Sequence, residues 1–231
     1  SLGGNLKDRS AGTVIRYNKI EGGARLIDLV EAQEHTQAAT ADPRYRASFV
    51  YGNILVAPPQ DAGSLVHYGG DSGIFENYRK GKLYFNHNTV YLVSNKPEQW
   101  ARAVLDISTN DETVYFDNNV VMLEGDTYLR LNRDAGKVIM GKNWMEQGWE
   151  DGWPNFIGSI EGKENVIAGV NPMFNTTSFV PLPESPLLDQ GQPLRPGLEA
   201  HPVALEYLHP LSYQQRVQQG SALDLGALET K

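Results

Sequence analysis

The chain of 231 residues contains no cysteine. Disulfides and thiolate metal sites are therefore excluded, and the absence suits either a reducing cytosol or a bacterial exterior. No stretch approaches the roughly 18 consecutive apolar residues that a membrane-crossing helix needs. The opening Ser1-Leu2-Gly3-Gly4 has neither a basic end nor an apolar run, so a soluble chain is expected from which any signal peptide has been removed. Positive charge is also scarce: 20 Lys+Arg stand against 28 Asp+Glu, a net −8, and the densest basic segment is Tyr78-Arg79-Lys80-Gly81-Lys82. A phosphate backbone would be repelled, and nucleic acid is not an expected partner. Charged residues make up 21 % and apolar ones 40 %, the balance of a folded chain rather than a disordered one. At roughly 150 residues per domain the length allows one large domain or two small ones. No convincing amphipathic helix of ten or more residues occurs before position 200.

What is present is a repeat. β-type residues, an Asn and further β-type residues recur as Val14-Ile15-Arg16-Tyr17-Asn18-Lys19-Ile20, Phe49-Val50-Tyr51-Gly52-Asn53-Ile54-Leu55 and Tyr84-Phe85-Asn86-His87-Asn88-Thr89-Val90. The pattern continues as Tyr115-Phe116-Asp117-Asn118-Asn119-Val120-Val121 and, more weakly, as Val138-Ile139-Met140-Gly141-Lys142-Asn143-Trp144. Steps of 35, 35, 31 and 24 residues between the Asn positions describe a fixed core with loops of different length. Between them lie second β-type runs, Leu26–Val30, Leu65–Tyr68, Val104–Ile107 and Tyr128–Leu131, each short, alternating and bounded by turn residues. Three short strands per repeat with Asn at one corner predict an all-β fold, a parallel β-helix solenoid, over a β-sandwich, which would not hold Asn in one register. Asn suits the corner because it tolerates a left-handed backbone and its amide can bond to the Asn of the next coil.

The whole chain resembles the right-handed parallel β-helix proteins of the pectate-lyase-like superfamily. The tail, with Asn171-Pro172-Met173-Phe174, Ser185-Pro186-Leu187-Leu188-Asp189-Gln190-Gly191 and Asp224–Glu229, looks like the closing segment of many secreted bacterial members. The resemblance implies coils over 1–170, a capping and wrapping segment over 171–231, a secreted, periplasmic or cell-surface location, and N-terminal coils missing from this chain. Prolines at 172, 181, 183, 186, 193, 196, 202 and 210 predict that the tail wraps as extended loops, anchored by Phe174, Phe179, Leu187 and Leu188.

Side chains alternate along a strand, so a residue between two buried aliphatics faces solvent. Asp28, His67, Asp106 and Arg130 each lie between two such neighbours, and Leu6-Lys7-Asp8-Arg9 fits the same register, with Lys7 above Asp28 and Arg9 above Val30. Lys7, Asp28, His67, Asp106 and Arg130 then form one outward column, flanked by long loops at 33–46 and 71–82. The column reads as a solvated face of alternating charges, as a groove for an acidic polysaccharide, or as a metal site.

Within the superfamily, Leu6-Lys7-Asp8-Arg9-Ser10 followed by Tyr17-Asn18-Lys19-Ile20 is similar to the Lys-Ser segment of alginate lyase and chondroitinase type enzymes. That likeness implies Lys7 as the base of a polyuronate β-elimination, Arg9 or Arg130 as the carboxylate neutraliser and His67 as proton donor. The sequence departs from the family pattern at Asp8, where Ser is usual, and at 27–30, where an arginine is usual. Asp28 and Asp106, two strands apart, approach the carboxyl spacing of an inverting glycosidase. Polygalacturonase motifs, a phosphate loop, a Ser/His/Asp set and a His-x-x-x-His pair are not read in the sequence.

The segment Trp144–Pro154 gathers three of the four tryptophans beside three acids. Trp149 and Trp153 are candidate stacking platforms for sugar rings, the alternative being a plug over the last coil. No cofactor is implied, and Glu146, Glu150 and Asp151 are candidate Ca²⁺ ligands at a spacing unlike an EF-hand. The functional expectation is a carbohydrate-active protein, either a polyuronate lyase or a non-catalytic glycan-binding or structural module.

Overall fold

The computed structural model describes residues 4–59, 64–94, 102–125 and 127–230. The chain is all-β, with three parallel sheets visited in turn. The first sheet holds Leu6–Asp8, Ile27–Leu29, Ser64–Tyr68, Arg102–Ile107 and Leu129–Arg130, side by side in that order. The second holds Val14–Arg16, Ala47–Tyr51, Gly81–Asn86, Glu112–Asp117, Lys137–Met140 and Ser159–Glu161. The third holds Lys19–Glu21, Ile54–Ala57, Thr89–Ser94, Val120–Gly125, Asn143–Met145 and Val166–Ile167. This cycle of three strands per repeat is compatible with a parallel β-helix.

All three sheets contribute to one core: Ile27, Leu29 and Val66 from the first, Val50, Phe85 and Phe116 from the second, Leu55, Val90 and Val121 from the third. Because each strand pairs in register with its counterpart one repeat on, like side chains stack. The rings of Phe85 and Phe116 lie 5.2 Å apart and nearly parallel. A parallel sheet leaves its inward face fully buried, which explains why the strands are rich in Val, Ile, Leu and Phe.

The repeated Asn residues make a continuous ladder between the second and third sheets. Each Nδ2 donates to the next Oδ1: Asn18 to Asn53 at 3.1 Å, Asn53 to Asn88 at 3.0 Å, Asn88 to Asn119 at 3.3 Å and Asn119 to Asn143 at 3.0 Å. One detail corrects the expectation. The left-handed backbone belongs to the residue before the Asn, namely Tyr17 (φ 58°), Gly52 (63°), His87 (48°) and Asn118 (57°). The preceding residue turns the corner, and the Asn amide then satisfies the backbone groups that the turn leaves unpaired, such as the carbonyls of Ile15, Val50 and Phe85.

The last parallel strand ends at Ile167. Among the described residues beyond it the only paired strands are an antiparallel hairpin, Leu205–Leu208 with Ser212–Gln215. The tail otherwise runs as loops over the outer faces of the second and third sheets. Phe179, Ala227 and Leu228 pack on Ile54, Val56 and Tyr91, while Leu187 and Leu225 pack on Val120 and Trp144. Phe174 and Leu188 are only half-buried. Arg195 is paired with Asp117 at 2.5 Å, and His201 stacks on Phe49 with centroids 3.7 Å apart. The tail thus covers the second and third sheets, while the loop after Tyr68 reaches the outer face of the first, where Asp71 meets Lys7. Of the expected coils over 1–170 and wrapping segment over 171–231, residues 1–3, 60–63, 95–101, 126 and 231 lie outside the described residues.

Candidate functional site

The outer face of the first sheet carries a row of ionisable side chains. Its strands pair Lys7 with Asp28, Asp28 with His67, and His67 with Asp106. These four share the register read from the sequence. Arg130 does not: it pairs with Ala103, three residues before Asp106, and its Nε lies 2.8 Å from Glu150. The error has a physical origin. Two consecutive residues are buried on these strands, as at Leu65-Val66 and Val104-Leu105, so an outward residue between two aliphatics does not define a unique register. The position level with Asp106 falls to Arg133, whose Nη1 lies 3.3 Å from Asp106 Oδ2.

An isolated parallel bridge joins Arg130 to Glu150 and carries the row one step further. The Trp153 N–H donates to the Arg133 carbonyl at 3.0 Å, and the Arg133 guanidinium lies 4.7 Å from the Trp153 ring centroid. Trp153 therefore ends the row. Trp149 instead packs, half-buried, on the main core. Arg9 is tied away by its Nη1, which donates to the Glu31 carbonyl at 2.5 Å.

Arg25, which the sequence reading passed over, cross-links the row. Its Nη1 is 3.5 Å from Asp28 Oδ1 and 3.0 Å from His67 Nδ1, and its Nη2 is 3.2 Å from Asp106 Oδ2. Its only sequence signal is its position three residues ahead of Asp28. Lys7 Nζ lies 3.0 Å from Asp28 Oδ2 and 3.1 Å from Asp71 Oδ2. Asp71 belongs to the loop after Tyr68, which is fixed from beneath. Buried Glu31 accepts the N–H groups of Asp71 and Ser72 at 3.0 and 2.8 Å, and buried Arg79 reaches Val30, Ser10 and Asp8.

The charges are layered. Side-chain exposure is 40 % for Lys7, 31 % for Arg25 and 35 % for Arg133, against 8 % for Asp28 and 11 % for Asp106. The carboxylates lie beneath and the cations form the outer surface. Burial alone would raise Asp28, but the hydrogen bonds and charges of His67 and Lys7 outweigh it and hold its pKa down to about 2. Burial alone would lower Lys7, but bonds from Asp28 and Asp71 outweigh that and raise it above its ordinary value.

His67 is buried among three partners, Asp28 Oδ1 at 2.7 Å and Arg25 Nη1 at 3.0 Å from Nδ1, and Ser108 Oγ at 3.0 Å from Nε2. This Asp–His–Ser line runs across two neighbouring strands to the residue just past the end of a third, and was not read in the sequence, because 39 and 41 residues separate its members. Of the acids proposed for calcium, Glu150 pairs with Arg130 and Asp151 with Lys163 at 2.7 Å. Among the described residues there is no group of three or more His, Cys, Asp or Glu placed to hold a metal ion. No helix among them is long and apolar enough to cross a membrane. Comparison with family models, curated proteins and solved structures gives no match.

Proposed function

We propose that the chain is a right-handed parallel β-helix of the pectate-lyase-like kind, acting outside the cell, whose first sheet binds an acidic polysaccharide. The observation that carries this reading is the layering of the row, with Lys7, Arg25 and Arg133 outermost over buried Asp28 and Asp106. Lys7 stands on the first strand of the sheet and Arg133 just past its last, with Arg25 between them, so the cations span a face whose strands lie about 4.8 Å apart. Trp153, half-buried at the end of the row, offers a ring on which a pyranose can stack. The remaining partners of the outer cations, Asp71 on Lys7 and Asp134 on Arg133, are well exposed. Exposed ion pairs contribute only about 0–1 kcal/mol, so uronate carboxylates can replace these partners at small cost.

Binding is favoured over elimination by Lys7. A general base must be unprotonated at working pH, and Lys7, held between two carboxylates, is kept charged. Calorimetric titration with a polyuronate and with a neutral polysaccharide, each followed by absorbance of the unsaturated product in the ultraviolet, tests the reading. Salt-sensitive binding of the polyuronate without product is expected. Appearance of the product, abolished in Lys7→Ala, would replace the binding module by a lyase. Absence of both binding and product would leave the row a solvated face.

A further inference from the structure

We propose that Asp28, His67 and Ser108 form a nucleophilic relay that hydrolyses carboxylic esters, with Ser108 as the nucleophile. The geometry is that of a base placed between an orienting carboxylate and a hydroxyl. Two groups meet His67 Nδ1: Asp28 Oδ1, which can only accept, at 2.7 Å, and the Arg25 guanidinium, which can only donate, at 3.0 Å. The shorter contact to the carboxylate favours the proton on Nδ1, with Nε2 as the acceptor facing Ser108 Oγ at 3.0 Å. The three residues come from successive passes through the first sheet, and His67 is buried while Ser108 is half-exposed on the outward face.

The backbone completes the site. The Gly70 N–H donates to Ser108 Oγ at 2.9 Å and so holds the hydroxyl beside His67. The chain comes this close only because Gly69 and Gly70 lack side chains. A Cβ on Gly69 would stand 2.5 Å from Ser108 Oγ, and one on Gly70 would stand 2.3 Å from the Tyr78 ring. At rest the hydroxyl proton has three acceptors, His67 Nε2, the Gly70 carbonyl at 2.9 Å and the Tyr68 carbonyl at 3.2 Å. A clasp on the Gly70 peptide alone would need neither the imidazole nor its carboxylate.

In the reaction Ser108 Oγ bonds to the acyl carbon as its proton passes to His67 Nε2. The ester C–O bond then breaks, and the alkoxide leaves with that proton as the alcohol. Water, deprotonated by the same Nε2, attacks the acyl-serine, and the carboxylic acid leaves as Oγ recovers its proton. The net change is ester plus water to acid plus alcohol. With Ser108 only half-exposed and hemmed in by the Gly69–Gly70 backbone, the fitting substrate is a small acyl ester. That the alcohol is a glycan hydroxyl rests on the polysaccharide reading above.

The test is labelling of the unaltered protein by a fluorophosphonate, with the adduct located by peptide mass mapping. The expected result is a single adduct on Ser108, absent in Ser108→Ala and formed roughly 100-fold more slowly in Asp28→Asn, where the histidine loses its orienting charge. Hydrolysis of 4-nitrophenyl acetate should follow the same order. Failure of the unaltered protein to be labelled at Ser108 overturns the proposal, whatever the variants do. Polyuronate affinity, measured on the same samples, separates the two readings. Labelling without affinity leaves the esterase and removes the glycan as its substrate. Affinity without labelling removes the esterase and leaves the binding row.

Discussion

Within the asparagine ladder the interior side chains close bonds on both sides and the end ones on one, so the effect of losing one depends on where it stands. Asn88 is fully buried and serves Asn53, Asn119 and the Val50 carbonyl, whereas Asn18 is exposed at the ladder's end. Leaving buried partners unpaired costs about 1–3 kcal/mol. Asn88→Ala is therefore expected to lower stability to denaturant by about that amount or more, and Asn18→Ala by much less. Equal losses at the two positions would mean that the ladder is not what holds the corner. Asp28 gives a second expectation at this scale. Its pKa is lowered from 3.8 to about 2, so its contribution is complete above 3.8 and is lost as pH falls from there towards 2. Urea titrations at stepped pH should show this acid limb, worth on the order of 2 kcal/mol, flattened in Asp28→Asn. The ladder was legible in the sequence because five repeats print the same residue in the same place. The left-handed residue before each Asn was not, because Tyr17, Gly52, His87 and Asn118 share no chemistry.

Elements were legible from their composition. Burial alternates along strands of the second sheet such as Lys137–Met140, whereas the tail buries both faces of the third, yet both were found as runs of Val, Ile, Leu and Phe. In the first sheet the consecutive buried pairs erased the alternation, and with it the register of Arg130 against Arg133. The tail was recognised by its prolines, but its docking depends on contacts that span 70 residues or more, such as Gln192 N–H to Asn118 Oδ1 at 2.9 Å, which no local pattern reveals. One of these contacts is sensitive to acid. His87 is buried against the tail, where a Cβ on Gly191 would come 3.5 Å from its Nε2, and burial together with Arg216 holds its pKa well below 6.5. Once pH falls below about 6.5 the unfolded chain takes up a proton that folded His87 refuses, so tail docking weakens as pH falls. His201, lowered by burial and by Arg16, acts in the same direction. Amide hydrogen exchange in the tail, corrected for its intrinsic pH dependence, should show less protection at pH 5 than at pH 7.5, and His87→Gln should reduce the difference. Protection unchanged between the two pH values would show that neither histidine governs the tail.

At the scale of the molecule, net charge and local charge point in opposite directions. The chain carries −8, which repels a polyanion at long range, yet the first sheet presents Lys7, Arg25 and Arg133 outermost. Which effect wins is set by screening. At an ionic strength of 0.15 M the Debye length is about 8 Å, so distant acids fade while a carboxylate seated on the row still meets its cation. Binding of a polyuronate should therefore fall with added salt, but less steeply than for a wholly basic site, because salt also relieves the long-range repulsion. Arg133→Gln removes the cation that also stacks on Trp153, and Arg25→Gln removes the link between Asp28, His67 and Asp106. The first should weaken polyuronate affinity roughly tenfold, the loss of one charge-assisted bond of about 1.5 kcal/mol, with little change in folding, since Arg133 is only one of several partners of Asp106. The second should cost both affinity and stability, since it leaves two buried carboxylates short of a partner. Titrations at 50 and 300 mM salt, paired with denaturant curves for each variant, distinguish these outcomes. Affinity that survives Arg133→Gln unchanged at both salt concentrations would place the glycan elsewhere on the molecule.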